Sequence, residues 1–322
     1  MIDMNNSRKK ISIDFPAMGT DISVDIITEL SAPREMSNVL EARKALRQVQ
    51  EIFQENEKIF SRFREDSELS MINCNLRKET FVSEKMFAVL ELCMKFHGLS
   101  DGYFDPRVLR SLEIIGYSKD FRTNDLNSAD NRRLQFKKNE QSLQEDLLLD
   151  RERKMIVVQK KIDTTGIAKG YCVDEAAQYL KDMGFENFIV DAGGDMFALG
   201  SDENGEEWKI GVEGMDNSRA MLKLSNEGIA TSGISRKRWT IGDKKVHHLI
   251  NPKDPKDFSF DIKTVTVIDE KTVEADGRAK VLVIMGKERG LQFANENNIK
   301  ALFLDYKGNV YISKRMRENI IK

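Results

Sequence analysis

The sequence predicts a single α+β domain, in which clusters of β-strands are separate from groups of helices. The first observation is composition, since 40% of the 322 residues are hydrophobic and can build a sizeable core. The second is continuity, because only five prolines occur and no low-complexity linker divides the chain. The third is patterning, because segments with alternating apolar residues are grouped apart from segments with helical periodicity.

Charge balance and cysteine content exclude several functional classes. The 51 basic and 53 acidic side chains leave a net charge of -2, which argues against nucleic-acid binding through bulk charge. No apolar run approaches the roughly 20 residues that cross a bilayer, so we expect no membrane-spanning segment. The basic start lacks the apolar stretch of a secretory leader, which predicts a cytoplasmic protein, or an exported one whose leader was removed. Cys74, Cys93 and Cys172 lie far apart, which fits free thiols in a reducing compartment.

The first half of the chain combines a strand pair with two helices. Residues 9–26 alternate apolar and polar side chains around a Pro-Ala-Met-Gly turn, which predicts a hairpin. Apolar residues at helical spacing predict helices over 35–60 and 83–99. Residues 118–152 are highly charged and lack glycine and proline, so we expect exposed surface with one short helix. This stretch is either a contact surface or an inert insertion. A strand is predicted at 154–159.

The second half alternates strands with two further helices. A glycine-bearing turn leads into a helix predicted over 170–184, and a β-rich run at 187–191 follows. A helix over 274–297 precedes a hairpin that turns at residues 307–309. Five segments are predicted as strands of one antiparallel sheet: residues 206–213, 220–225, 237–242, 246–250 and 262–268.

Two glycine-containing turns are candidate anion sites. Residues 163–170 combine two glycines with Lys169 before a predicted helix, where backbone N–H groups and a helix N-terminus can hold a phosphate. The spacing is not that of a Walker A loop, and a helix start that needs glycine for its turn explains the segment equally well. Residues 191–195 contain a glycine pair after a strand, which permits close approach of a ligand or forms a plain tight turn.

Three further segments carry groups suited to phosphate chemistry. Ser232 precedes the basic run 236–238, which suits either a phosphate or a solvated strand end. In the His247-His248 pair, neighbouring rings on a strand face opposite sides, so one can act as a general base while the other packs. Asp276 opens the last predicted helix, where it complements the helix dipole or binds Mg²⁺ through oxygen.

Eight segments, taken in order, resemble the ApbE family, the FAD:protein FMN transferases. They are Ala-Met-Gly-Thr (17–20); Phe-Ser-Arg-Phe (60–63) with residues 66–70 and Asn73; Gly-Tyr-Phe-Asp-Pro (102–106); residues 162–171 with Asp174; Gly-Gly-Asp (193–195); Thr-Ser-Gly (231–233); His-Leu-Ile-Asn-Pro (248–252); and Ala-Asp (275–276). Each motif alone is weak, whereas their common order and spacing are specific. The resemblance extends over residues 11–313, which makes residues 314–322 a C-terminal tail.

The resemblance implies a two-lobed domain with mixed, largely antiparallel sheets, flanking helices and FAD in the cleft between the lobes. It also implies a reaction in which a Thr or Ser hydroxyl of a partner flavoprotein attacks the FMN-side phosphorus of FAD, and AMP leaves. Mg²⁺ is expected because a cation stabilises the charge that develops on a pyrophosphate. Two alternatives stay open: a family member that binds FAD without transferring FMN, and hydrolysis of FAD to FMN and AMP.

The matching motifs imply roles for individual residues. The flavin or adenine pocket would be lined by Met18, Ser61, Arg62, Phe63 and Tyr103. The ribityl and phosphate part would be held by Asp163, Lys169, Asp174, Gly193, Gly194 and Asp195, with Ser232 at a phosphate. His248 would be the base or an orienting group. Mg²⁺ would be bound by the backbone carbonyl of Ala168 and the carboxylate of Asp276.

One departure from the family pattern concerns the metal. The family opens its last helix with Asp-Ala-x-x-Thr and binds Mg²⁺ through the Asp and the Thr, whereas this chain has Asp276-Gly-Arg-Ala-Lys280. A lysine ammonium has three donors and no lone pair, so it is not a metal ligand. We expect Lys280 either to repel Mg²⁺ or to replace it as a fixed charge on the pyrophosphate, which makes it a candidate catalytic residue. Asn251 likewise stands where the family has an aspartate.

Overall fold

The computed structural model of the chain describes residues 8–29, 35–117, 135–216, 221–235 and 237–321. These ranges contain eight α-helices and sixteen strands in four sheets. None of the helices in the described ranges is both long and apolar enough to cross a membrane.

The strands are β1 (Arg8–Ala17), β2 (Thr20–Glu29), β3 (Thr80–Phe81), β4 (Leu147–Asp150), β5 (Met155–Val158), β6 (Phe188–Ala192), β7 (Asp195–Leu199), β8 (Trp208–Gly211), β9 (Met221–Leu224), β10 (Glu227–Gly233), β11 (Arg238–Ile241), β12 (Lys244–His247), β13 (Ile262–Asp269), β14 (Lys300–Asp305), β15 (Val310–Ile312) and β16 (Ile320–Ile321). The helices are α1 (Glu35–Phe60), α2 (Glu68–Cys74), α3 (Glu84–Leu99), α4 (Leu109–Ile114), α5 (Leu143–Asp146), α6 (Ala168–Asp182), α7 (Thr272–Met285) and α8 (Lys287–Glu296).

The largest sheet has eight strands and forms the centre of the fold. Its order is β1-β2-β6-β7-β10-β13-β14-β15, and every neighbouring pair is antiparallel. Smaller sheets are formed by β11-β12, by β16-β9-β8 and by β3-β5-β4. The predicted α+β class, with largely antiparallel sheets and flanking helices, is confirmed.

Helices pack against the central sheet around two hydrophobic cores. Phe53 on α1, Phe87 on α3 and Phe188 on β6 belong to the first core and are almost completely buried. Val265 on β13 and Leu282 on α7 belong to the second. Burying an apolar side chain of this size stabilises the fold by about 1.5–3 kcal/mol. The helices predicted over 35–60 and 83–99 are confirmed, because their apolar periodicity matches the faces that these cores bury.

Helices α6 and α7 approach each other closely at a glycine. A Cβ at Gly170 would lie 2.8 Å from both the Thr272 carbonyl oxygen and the Val273 Cα, so only glycine fits there without displacement. Asp174, one turn further along α6, accepts hydrogen bonds from the backbone N–H groups of Thr272 (2.7 Å) and Val273 (3.0 Å). The carboxylate therefore caps the N-terminus of α7, where four N–H groups lack partners within the helix. These contacts fix the position of the N-terminal end of α7, the helix that carries Asp276 as its fifth residue.

Several predicted elements differ from the structure. The helix predicted over 274–297 is two helices, because Gly286 adopts a φ of 76° that ends α7. The five strands predicted as one sheet lie in three: β8 and β9 pair in one, β11 and β12 in another, and β13 belongs to the central sheet. Strands β7 and β10, both in the central sheet, were not predicted.

The 118–152 stretch, predicted to be exposed surface, and the predicted C-terminal tail both contain packed structure. Residues 118–134 lie outside the described residues, but the remainder of the 118–152 stretch includes α5 and β4. Asp146 is 1% exposed and accepts a hydrogen bond from Lys160 at 2.8 Å, so this part is not simply exposed surface. Within the predicted tail, Arg315–Asn319 forms a 3-10 helix and β16 pairs with β9. The domain boundary at residue 313 stays a prediction.

The three cysteines differ in accessibility. Cys93 on α3 and Cys172 on α6 are free and completely buried, and burial raises the pKa of both thiols far above its ordinary value. Cys74, at the end of α2, is free and exposed. Thiolates are the reactive form, so the two buried cysteines are inert at neutral pH.

Candidate functional site

A cleft of about 490 Å³ lies where the β1–β2 turn, the start of α6, the end of β10, the segment after β12 and the first turns of α7 meet. This volume is within the range of pockets that hold small molecules. Most of the residues singled out in the sequence border it: Met18, Arg62, Phe63, Tyr103, Asp163, Ala168, Lys169, Gly193, Asp195, Ser232, His248, Asp276 and Lys280. Segments more than 250 residues apart in sequence thus contribute to one cavity.

Three residues predicted to bind the ligand do not line this cleft. Asp174 caps α7, because its two carboxylate oxygens accept hydrogen bonds from the backbone N–H groups of Thr272 and Val273. The Ser61 hydroxyl accepts a hydrogen bond from the backbone N–H of Phe63 at 3.3 Å. Gly194 borders a neighbouring cavity and donates its N–H to Asp191 at 2.8 Å. Asp174 and Ser61 thus bind to elements that border the cleft, and the ligand-binding roles of all three residues stay predictions.

The turn between β6 and β7 forms one wall of the cleft. Gly193 has a φ of 62°, a left-handed conformation that favours glycine. A Cβ at this position would lie 2.0 Å from the Thr20 hydroxyl oxygen, so the turn contacts the hairpin of β1 and β2 directly. Met18, in that hairpin turn, has a φ of 53° and borders the cleft beside it. The glycine pair therefore brings two turns together and does more than reverse the chain.

Two lysine–aspartate pairs lie at the floor of the cleft. Lys169 Nζ is 2.5 Å from Asp195 Oδ2 and donates to the Ala192 carbonyl at 3.1 Å. Lys280 Nζ contacts Asp276 Oδ1, one helical turn away on α7. The lysine side chains are 25% and 18% exposed, whereas the aspartate side chains are 2% and 1% exposed. The carboxylates are therefore buried behind the lysines, and the cationic side chains reach the cavity.

The charges of these groups depend on one another. Burial, with the negative charge of Asp195, raises the pKa of Asp276 to about 6, although Lys280 and Lys169 oppose this. Burial also lowers the pKa of Lys169, but the carboxylates around it outweigh that effect and leave its pKa above the ordinary value. Lys169 is accordingly a permanent cation at neutral pH.

The two neighbouring histidines have different surroundings, as the alternating strand pattern predicts. His248 borders the cleft, and its Nδ1 lies 3.3 Å from the Lys237 carbonyl oxygen. A carbonyl only accepts, so Nδ1 carries the proton and Nε2 keeps its lone pair. Surrounding protein and the nearby Lys237 charge lower the pKa of His248 well below its ordinary value, which keeps the ring neutral. His247 instead packs between the rings of Phe258 and Phe260.

An arginine and three aromatic residues also line the cleft. The Arg62 guanidinium lies 4.2 Å from the centroid of Phe63 and 4.4 Å from that of Tyr117. It donates to the Tyr117 carbonyl at 2.8 Å and lies 3.4 Å from the carboxylate of Asp163. Tyr103 also borders the cleft. Sequence reasoning missed Tyr117, because it lies just before the charged 118–152 stretch and belongs to none of the eight motifs.

The cleft therefore defines an α+β protein with a site suited to a phosphorylated ligand that carries planar rings. The chain matches the model of the ApbE family over residues 18–303, and it belongs to that family. This confirms the resemblance seen in the sequence. Among curated relatives, the FAD:protein FMN transferase of Vibrio cholerae is 27% identical over 303 residues, which cover 92% of this chain and 87% of that protein. The FAD:protein FMN transferase of Haemophilus influenzae is 24% identical over 319 residues, which cover 95% and 89%.

Solved structures share the fold. The ApbE protein of Thermotoga maritima superposes with a TM-score of 0.80 at 23% identity, covering 98% of this chain and all of that chain. The flavinyl transferase ApbE of Pseudomonas stutzeri superposes with a TM-score of 0.78 at 23% identity, covering 99% of this chain and all of that chain. The arrangement of strands and helices described above is thus that of ApbE proteins.

Proposed function

We propose that this chain is an FAD:protein FMN transferase, which moves FMN from FAD to a hydroxyl group of a partner protein and releases AMP. Its relatives carry that name. The observation that supports it most directly is that Lys169, Ser232, His248 and Lys280 border a single cleft. Together they offer two cations and a hydroxyl to the phosphates of FAD, and an imidazole to the attacking group.

The walls of the cleft suit the two halves of FAD. Met18, Phe63 and Tyr103 offer apolar and aromatic surface to the isoalloxazine or adenine ring. Lys169 and Ser232 are the proposed partners of the diphosphate. Asp163 is the proposed acceptor for hydroxyl groups of the ribityl chain, with Arg62 beside it.

His248 is the proposed general base. A Thr or Ser hydroxyl oxygen of the acceptor protein attacks the phosphorus of the FMN half of FAD. A P–O bond to the acceptor forms, and the bond from that phosphorus to the bridging oxygen breaks. The hydroxyl proton passes to Nε2 of His248, and the electron pair of the broken bond leaves with AMP. The hydrogen bond from Nδ1 to the Lys237 carbonyl supports this role, because it leaves Nε2 unprotonated.

The family resemblance implies Mg²⁺ at Ala168 and Asp276, but the side chains around these residues do not fit that ion. The ammonium of Lys280 lies against Asp276 Oδ1, and the second carboxylate oxygen is 3.4 Å from the Gly170 N–H. A hard cation needs several oxygen ligands, and a lysine supplies none. No step of the proposed reaction uses a metal.

Release of AMP from FAD tests the proposal. Purified protein is incubated with FAD and with a candidate acceptor, and AMP and the acceptor mass are measured. We expect AMP together with an acceptor that gains the mass of FMN. In His248→Ala the rate should fall by about 10²–10⁴-fold with little change in FAD affinity. An unchanged rate would exclude His248 as the base.

The same assay separates the two alternatives. AMP with free FMN, and no modified acceptor, would indicate hydrolysis of FAD by water. Bound FAD without AMP, at any metal concentration, would indicate a family member that binds FAD only. Either result would contradict the proposed transfer.

The acceptor and compartment are proposed from the chemistry of the chain. A flavoprotein with an accessible Thr or Ser is the proposed partner. The three free cysteines support a reducing compartment, in agreement with the predicted cytoplasmic location. Fractionation of cells that express the full-length protein tests this against export with removal of a leader.

A further inference from the structure

We infer that Lys280 is a built-in cation for the diphosphate of FAD, so that this chain transfers FMN without a divalent metal ion. The inference rests on the proposed function and specifies how one site of that enzyme works. It comes from a disagreement between the metal that the family resemblance implies and the side chains present.

The carboxylate that would hold the metal is already engaged by protein groups. Asp276 is 1% exposed, and one of its oxygens contacts the Lys280 ammonium. The Gly170 N–H points to the other oxygen from 3.4 Å. Among the described residues, no group of three or more His, Cys, Asp or Glu side chains could hold a metal ion. A divalent cation would have to displace a charged lysine and then find its remaining ligands elsewhere.

The Lys280 side chain lies between α7 and the turn before α6. Lys280 follows Asp276 by four residues on α7, so both lie on the same helix face. A Cβ at Gly166 would be 3.8 Å from Lys280 Cδ and 3.0 Å from the ring of Phe104. The aliphatic stem therefore runs between α7 and the glycine turn before α6. Lys280 borders the same cleft as Lys169.

The Lys280 ammonium has more N–H donors than its contact with Asp276 uses. A lysine ammonium has three N–H donors, and one contact with Asp276 leaves two for phosphate oxygens. Asp276 holds the ammonium in position, which reduces the entropy lost when the ligand binds. Charge that develops on the leaving AMP would be stabilised by a group already in place. Lys169, paired with Asp195 in the same way, provides a second cation in the same cleft.

The experiment compares wild type with Lys280→Thr, which restores the family residue. Lys44→Thr is the matched control, because Lys44 lies on the exposed face of α1 outside the lining of the cleft. Each protein is stripped of metal with EDTA and then assayed with and without Mg²⁺ for AMP release and for FAD affinity by flavin fluorescence. Binding of Mn²⁺ is measured separately by electron paramagnetic resonance.

We expect wild type and Lys44→Thr to release AMP equally fast in EDTA and in Mg²⁺, and to bind no stoichiometric Mn²⁺ at the cleft. Lys280→Thr in EDTA should lose about ten- to 100-fold in FAD affinity and AMP release, the effect of losing a charge-assisted contact. Mg²⁺ should restore both, and Mn²⁺ should bind one to one.

Two results would overturn the inference. One is a wild type that loses activity in EDTA and regains it with Mg²⁺. The other is Mn²⁺ binding that is equally tight in wild type and Lys280→Thr. If no variant releases AMP, the proposed transferase activity fails, but FAD affinity still decides the role of Lys280: equal affinities of wild type and Lys280→Thr in EDTA would refute it.

Discussion

Replacing Gly170 by alanine tests the contact between α6 and α7 that positions Asp276. The new Cβ would lie 2.8 Å from Val273 Cα and from the Thr272 carbonyl oxygen. Carbon contacts have their optimum at about 3.5 Å or more, so α7 must withdraw by roughly 0.7 Å. Overpacking of this kind costs about 1–3 kcal/mol, which exceeds the gain of about 0.5–1 kcal/mol from removing a helical glycine.

We therefore expect the free energy of unfolding of Gly170→Ala to fall by about 1–2 kcal/mol. Urea unfolding followed by the fluorescence of Trp208 and Trp239 measures this, since both indoles lie in hydrophobic clusters. The displacement also moves Asp276 and Lys280, so AMP release should fall by up to about 100-fold.

Gly98→Ala is the matched control. Gly98 lies on α3, and a Cβ there would meet nothing within 4 Å. Its stability should stay the same or rise by about 0.5–1 kcal/mol. If Gly170→Ala unfolds at the same urea concentration as Gly98→Ala, the close approach of α6 and α7 does not exist as described, and the argument for a fixed α7 fails.

Three further predictions follow from packing and charge. Arg107→Ala should lower the free energy of unfolding by about 3–5 kcal/mol, because the buried guanidinium of Arg107 pairs with two buried aspartates. Arg151→Ala is the control: its side chain is 63% exposed, so the free energy of unfolding should fall by less than about 1 kcal/mol. Similar urea midpoints for the two variants would contradict this. Gly286→Ala should lower the free energy of unfolding by about 1–3 kcal/mol, because the φ of 76° at this position is strained for any residue other than glycine. An unchanged urea midpoint would refute this. The pKa of His248 is held below its ordinary value in the folded protein. As the pH falls below about 6.5, His248 therefore takes up a proton in the unfolded chain but not in the folded protein, and the free energy of unfolding decreases. Urea midpoints at pH 7.5 and 5.5 should differ less in His248→Gln than in wild type, and equal differences would disprove the assignment.

Much of the fold was predictable because its long elements have clear periodicity. The hairpin of β1 and β2 and the helices α1 and α3 bury regular faces, and alternation or helical spacing identifies them. β7 begins directly after a glycine pair and β10 contains two glycines, so neither has the β-branched run that marks a strand. The break at Gly286 was missed because an isolated glycine is also tolerated within helices.

The motifs predicted which residues come together at the site but not the role of each one. Lys169, Ser232 and His248, which belong to three of the motifs, border one cleft together with Lys280, which stands where the family has a threonine. Asp174 belongs to the same motif as Lys169 but caps α7, and no sequence pattern distinguishes a ligand-binding carboxylate from one that caps a helix 98 residues away. The prediction that five strands form one sheet was wrong because pairing between strands that are distant in sequence depends on tertiary packing, which the sequence pattern does not show.

The unequal burial of the thiols leaves the unaltered protein with a single reactive cysteine. A maleimide dye at neutral pH reacts with Cys74 alone among the three, because the other two are shielded and protonated. Its neighbour Asn73 exchanges hydrogen bonds with the backbone of Ile162, which precedes Asp163 at the cleft. A fluorophore attached at Cys74 is therefore linked to the edge of the cleft through Asn73 and Ile162, and it labels the protein without any engineered substitution.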